Sequence, residues 1–265
     1  MKILFVGDVV GKPGRRVLFA NLDDLQTQHG FDLVIVNAEN AAGGFGVTRK
    51  IVDEFLSRGV DVLTSGNHIW DKREALDFID EEPRLLRPHN YPPGTPGSGW
   101  HVAHTEKGIP VGILNIMGTV FMQPTLGCPF RCADQLLQDS AEELPTVIVD
   151  FHAEATSEKV AMGWHLDGRV SAVLGSHTHV PTADERILPG GTAYISDVGM
   201  TGCYDSIIGM DTAGVLKRFV HKLPDRFAVA QGMGTLCGAI VTVDDASGRS
   251  IHIERVTVTE GGGQS

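Results

Sequence analysis

The chain has 265 residues, 42% of them hydrophobic and 21% charged, a balance that fits an ordinary globular protein and not a disordered, fibrous or membrane-embedded one. Lys and Arg number 22 against 33 Asp and Glu, and the net charge of −11 disfavours broad binding to a polyanion such as duplex nucleic acid, while a small anion drawn in by local cations is still allowed. The four cysteines, Cys128, Cys132, Cys203 and Cys237, include no Cys-x-x-Cys pair, so they read as reduced thiols of a cytoplasmic protein, not as a disulfide framework or a thiolate zinc site.

In chain order, residues 3–7 form a first apolar run with strand character. The run is too short for a signal peptide or a membrane span, and Asp8 interrupts it, so neither is expected. Residues 13–29 have helical spacing, with Pro13 at a first helical position and Val17, Leu18, Leu22 and Leu25 on one face. A second strand is expected at 33–37. Thr48 then caps a helix carrying Ile51, Val52, Phe55 and Leu56, which Gly59 ends. Further strands are expected at 60–65, 111–116, 146–151, 170–175 and 193–196. The cluster Pro92-Pro93-Gly94-Thr95-Pro96-Gly97 reads as a surface loop. The last runs, 236–243 and 251–258, have no helix between them and read as a hairpin. Strand–helix alternation argues for an α/β core with substantial parallel pairing, and the terminal hairpin for a sheet that is mixed or doubled. No repeat or linker divides the chain, which predicts a single domain over 1–260 and a frayed tail at 261–265.

The residues just past the strands carry the chemistry. The first run ends in Gly7-Asp8, the second in Asn37-Ala38-Glu39-Asn40 and the third in Ser65-Gly66-Asn67-His68; His152 comes after 146–151, and Ser176-His177-Thr178-His179 after 170–175. Singly, each has a plain explanation: Asp8 as a cap, Asn37 and Asn40 as turn residues, Asn67 as a loop hydrogen-bonder, a lone histidine as a solvated side chain. Those explanations do not account for five apolar runs sharing one kind of ending. In an open α/β sheet the crevice lies beyond the carboxyl ends of the strands, so these residues converge. His177 and His179 stand at i and i+2, which on an extended segment directs both imidazoles one way. Carboxylate, carboxamide and imidazole without thiolate make a nitrogen–oxygen set suited to iron, manganese or zinc and poorly suited to calcium. The candidates oversupply one ion and suit a pair, and two-metal sites serve hydrolysis of phosphate esters or amides.

Asp8, Gly66-Asn67-His68, His152 and Ser176-His177-Thr178-His179, in this order at strand ends, resemble the signature of the calcineurin-like metallophosphoesterases. Gly7-Asp8-Val9-Val10-Gly11-Lys12-Pro13-Gly14 together with Asn37-Ala38-Glu39-Asn40-Ala41-Ala42-Gly43-Gly44 is similar to the YmdB-like branch, whose members act as phosphodiesterases on 2′,3′-cyclic nucleotides. The broad family opens with Asp-x-His where this chain has Val10, and supplies an aspartate where this chain has Glu39 followed by Asn40; the YmdB-like branch has the same substitutions. The resemblance implies a four-layer sandwich of two mixed β-sheets flanked by helices. It assigns Asp8, Glu39, Asn40 and His179 to one ion and Glu39, Asn67, His152 and His177 to the other, with Glu39 as the bridge. It further implies two divalent transition-metal ions, iron first, manganese as the alternative and zinc last, with a metal-bridging hydroxide attacking phosphorus and His68 as general acid for the departing alkoxide.

The expected partner is a small phosphodiester or cyclic nucleotide, with neither duplex nucleic acid nor membrane; assembly into a homo-oligomer and a regulatory protein partner are both compatible. Two other classes stand beside the diesterase. An amidohydrolase barrel would want its His-x-His after the first strand, which here ends in Asp8. A regulator binding nucleotide with weak hydrolysis would suit the acidic surface. The run from Gly7 to Gly14 is one residue short of a phosphate-binding loop and has Pro13 at its Ser/Thr position. Gly43-Gly44-Phe45-Gly46 reads either as a flexible loop near the site that forms a substrate wall or, more simply, as a plain turn, and Ser196-Asp197 to Cys203 as a segment that lines the crevice without contributing a site residue.

Overall fold

The computed structural model describes residues 1–139, 144–224 and 226–261, so residues 262–265 of the expected tail lie outside it. The first half of the chain alternates strands and helices: β1 (Lys2–Val6), α1 (Gly11–His29), β2 (Leu33–Asn37), α2 (Arg49–Ser57) and β3 (Val62–Thr64), then the short α3 (Ala75–Phe78). Next come β4 (Trp100–His104), β5 (Pro110–Met117), α4 (Pro129–Asp139), β6 (Thr146–His152), α5 (Thr156–Leu166) and β7 (Ala172–Ser176). The chain closes with β8 (Arg186–Ile187), β9 (Ala193–Ile195), β10 (Gly202–Cys203), α6 (Thr212–His221), β11 (Gly234–Val243) and β12 (Ser250–Thr259).

These strands form two mixed six-stranded sheets. In the first, β1, β2 and β3 run parallel, β11 pairs antiparallel with β1, and β12 returns beside β11 as the hairpin partner. In the second, β5, β6, β7 and β9 run parallel, with antiparallel β4 and β8 at the two edges. Period-2 alternation distributes the side chains between layers. In β1, Ile3 and Phe5 face the second sheet, where they meet Ile113, Ile148 and Leu174. Leu4 and Val6 face the other way, onto Val17, Leu18 and Leu22 of α1 and Phe55 of α2. On the far side of the second sheet, Val147, Val149 and Phe151 pack on Met162 and Leu166 of α5 and Ala133 of α4. The result is a helix–sheet–sheet–helix sandwich with three apolar layers.

Several boundaries differ from the sequence reading for local reasons. Helix α1 starts two residues early, at Gly11, because Gly14 N–H already bonds Val10 C=O (3.1 Å); Pro13 still sits in the first turn, where its missing N–H costs no bond. Thr48 does cap α2, its side chain accepting from Ile51 N–H (3.4 Å), and Gly59 comes just after the helix with φ +86°. The short strands β4, β8 and β10 and the helices α3 to α6 were not among the expected elements. Edge strands of two to five residues carry too few alternating positions to stand out.

Candidate metal centre

Parallel strands aim their carboxyl ends one way, and the two sheets meet at that end. Asp8 follows β1, fully buried, and its Oδ2 accepts from His177 N–H of the opposite sheet (3.1 Å). Its Oδ1 is also buried and has no hydrogen-bond partner among the described residues. After β2, Asn37 acts as a turn residue: its Oδ1 accepts from Glu39 N–H (3.2 Å), its amide donates to Asp150 (3.1 Å), and the turn aims Glu39 inward. Glu39 Oε1 lies 3.1 Å from His152 Nε2, and Oε2 accepts from His68 N–H (3.0 Å). After β3, Asn115 of β5 brackets Ser65, accepting from its N–H (3.0 Å) and donating to its C=O (2.9 Å), which fixes Gly66-Asn67-His68 against the second sheet. Gly66 must be glycine there, since a Cβ would stand 2.1 Å from His152 Nε2 and 2.5 Å from Glu39 Oε2.

The second sheet supplies the imidazoles. His152 Nε2 lies 3.1 Å from each of three atoms, Glu39 Oε1, Asn67 Oδ1 and His177 Nδ1. Ser176 Oγ donates to Asp150 Oδ1 (2.6 Å), so it accepts from His152 Nδ1–H (2.9 Å), and the ring directs Nε2 toward that cluster. His177 Nε2 meets Glu154 (3.2 Å), which leaves Nδ1 on the inner side. His179 donates Nδ1–H to Ile208 C=O (2.9 Å), leaving Nε2 to face Asn40 (3.2 Å) and Asp8 Oδ1 (3.8 Å). All seven residues read from the sequence as ligands therefore lie in one connected cluster.

The His-x-His geometry differs from the sequence reading. Strand β7 ends at Ser176, and His177 (φ +101°) and His179 (φ +65°) both have left-handed backbone instead of the extended form. The two rings consequently part, His177 toward His152 and His179 toward Asn40. Backbone of this kind costs free energy and persists where the surroundings over-determine it. Here the brace is Asp197, bonded to Thr178 N–H (3.1 Å), Thr178 Oγ1 (2.8 Å) and Lys159 Nζ (2.6 Å), while Lys159 also donates to Ser176 C=O (2.7 Å). Val10 is fully buried among Met200, Met210 and Val215 and has no part in the polar cluster.

Burial and mutual field set the charges. Burial pushes the Glu39 carboxyl up, but His152 and the His68 N–H outweigh it and hold it at about 2. Burial pushes His152 down, and Glu39, Asp8 and Asp150 reverse this to about 9. His177 is driven to about 3 by burial and by His152, so it stays neutral. Asp8 is raised by burial against the pull of His179 and His152. Ligand atoms of Glu39, His152 and His177 lie within 4.8 Å of one another, close enough to hold a metal ion.

A cleft of about 310 Å³ opens over the cluster, with His68, Glu154 and Phe45 on its walls. Among the described residues the His68 side chain makes no hydrogen bond to a candidate ligand: its Nδ1 meets Asp71 (2.8 Å) and its ring stands edge-on to Phe45 at 4.9 Å. Phe45 thus places the glycine-rich turn at the site. Glu154, Lys159, Asp197 and Asn115 were not among the site residues read from the sequence. Asp150 had a visible signal, an acid inside the apolar run before His152, and Asp197 came after a strand as the candidate ligands do; Lys159 had none.

A family model described as YmdB-like protein matches residues 4–256. The chain belongs to the YmdB-like family. This YmdB-like chain is 50% identical over 261 residues to the 2′,3′-cyclic-nucleotide 2′-phosphodiesterase of Bacillus subtilis (strain 168), covering 98% of each chain. Among solved structures it is similar to a hypothetical protein from Thermus thermophilus (43% identity, TM-score 0.91, 98% of this chain and 99% of that one). It is similar also to a phosphatase from Mycoplasma pneumoniae (36% identity, TM-score 0.92, 98% and 93%). The layered architecture of the YmdB-like chain is that of the calcineurin-like metallophosphoesterases.

Proposed function

We propose that the chain is a metal-dependent phosphodiesterase that holds two divalent transition-metal ions and hydrolyses small phosphodiesters, 2′,3′-cyclic nucleotides foremost. The observation that carries this reading is the crowding at His152 Nε2, where a carboxylate oxygen, a carboxamide oxygen and a second imidazole nitrogen all approach to 3.1 Å. One proton cannot serve three acceptors, whereas a cation among the four atoms turns their opposed lone pairs into ligands. The unpartnered buried Oδ1 of Asp8 beside His179 marks a second such place. The B. subtilis relative's named activity, at 50% identity, supports the substrate class.

Asp8, Glu39, Asn40 and His179 would hold one ion, and Glu39, Asn67, His152 and His177 the other, with Glu39 shared. Asn40 now turns its amide nitrogen toward Glu39 and His179; half a turn of the carboxamide would present its oxygen instead. The nitrogen–oxygen set suits iron, with manganese and then zinc as alternatives. Bound ions supply Lewis acidity toward phosphoryl oxygens and make water nucleophilic at neutral pH. The chain's own groups do the remaining work. Asp150 and Ser176 hold the tautomer of His152, and Glu154 that of His177. His68, its Nδ1 tied to Asp71, keeps Nε2 to give a proton to the departing alkoxide.

The test is hydrolysis of 2′,3′-cyclic AMP by metal-stripped protein after addition of Fe(II), Mn(II) or Zn(II), with His177→Ala in parallel. Turnover should return with metal and be absent from the variant. Two bound ions per chain without turnover would overturn the reading in favour of a regulator that binds nucleotide unchanged.

A further inference from the structure

Beside the polar cluster the cleft changes character. Its opposite wall is apolar, built by Phe45, Ile207, Ile208, Met210, Phe219 and Phe227. Ile208, Phe219 and Phe227 are 51%, 65% and 37% exposed, which is unfavourable in water unless something apolar covers them. The wall has a rigid base. Val10, Met200, Met210 and Val215 bury one another, with Phe45, Ile207 and Val229 packed against them. Ile207 and Met210 exchange backbone hydrogen bonds (2.9 and 3.0 Å). Ile208 is tied to the polar cluster through His179 Nδ1–H (2.9 Å), and it holds φ +47°, a conformation that a β-branched residue rarely adopts. A group packed on Ile208 therefore stands at a fixed offset from the atoms proposed to engage phosphate.

We infer that this wall seats the nucleobase of the substrate and reads the presence of an aromatic ring, not its identity. The inference rests on the phosphodiesterase reading. Phe219, 65% exposed, offers stacking surface, which every base can use because every base has a π-face, and Phe227, with the Arg218 guanidinium 4.8 Å from its ring centroid, adds its remaining exposed surface. Among the described residues, the side chains that the segment 207–227 turns to the cleft include no hydroxyl, amide or charge, so none of them is left unpaired by the wrong base; it is such unpaired groups that give large discrimination. The volume, about 310 Å³, is at the small end for ligand pockets and suits one mononucleotide, in keeping with the net charge of −11 that opposes a longer polyanion.

The experiment compares kcat/KM for the four 2′,3′-cyclic nucleotides with that for glycerol 1,2-cyclic phosphate, the same strained cyclic diester without a base, using metal-loaded full-length protein. The four nucleotides should agree within about fivefold, and all should exceed the glycerol ester. Phe219→Ala should lower the ratio of nucleotide to glycerol ester by about tenfold, chiefly through KM, and Phe219→Trp should keep it. Discrimination among bases beyond about fiftyfold, or a ratio that Phe219→Ala leaves unchanged, would overturn the inference while the diesterase reading stands. Hydrolysis of none of the five esters with any metal would overturn both.

Discussion

His68 differs from its neighbours in what it leaves undone. Its backbone N–H positions Glu39 and its ring lines the cleft, yet among the described residues the ring makes no hydrogen bond to a candidate ligand and is oriented by Asp71. A residue placed this way affects proton delivery more than metal retention. Replacement by Ala should lower turnover of 2′,3′-cyclic AMP by about a hundredfold, the ordinary scale of general acid catalysis. Bis(4-nitrophenyl) phosphate should lose far less, because nitrophenolate departs without protonation. Metal content by elemental analysis should stay at the wild-type level. Equal losses on both substrates would remove the acid role.

At the scale of elements, the turn after β7 depends on a buried ion pair brought from elsewhere in the chain. Lys159 of α5 and Asp197 beyond β9 are both almost fully buried and hold Ser176 and Thr178, the residues around His177. Asp197→Leu should destabilise the protein by about 3–5 kcal/mol, since it leaves an ammonium buried without its partner. The double variant Lys159→Met with Asp197→Leu should recover most of that loss in a denaturant melt, because no lone charge remains. It should still bind metal more weakly than wild type, because the Thr178 bonds are gone. Full recovery of both properties would show that the pair only fills space. This element also shows what was legible in the sequence. The gathering of the candidate ligands at strand tips was readable because a polar ending on an apolar run is a local signal, and the strands of β1, β2, β5, β6 and β11 were readable because burial enforces β-branched and aliphatic runs. The brace was not readable: Lys159 lies 38 positions from Asp197 and belongs to a helix with no conspicuous pattern. Nor was the splitting of His177 from His179, which depends on backbone angles that no spacing rule contains.

At the scale of the whole molecule, histidines away from the cluster set an acid limit. His89 and His101 both have lowered proton affinity, by burial first and then by Arg87 and Arg84 respectively. Each folded value lies below the ordinary 6.5, so as pH falls past 6.5 the unfolded chain takes up protons first and stability declines. Thermal midpoints should fall between about pH 7.5 and 5.5, and the fall should be shallower for the double variant His89→Gln with His101→Gln; parallel curves would exclude these two residues as its source. A different consequence arises from how the two sheets share the cluster. Asp8, Glu39, Asn40 and Asn67 come from the first sheet, and His152, His177 and His179 from the second. The strand that carries Asp8 is itself completed by β11, which begins at Gly234. During synthesis, then, no early fragment holds a finished centre. On the two-metal reading, any divalent ion would have to be taken up by the nearly complete chain, not by a folding fragment.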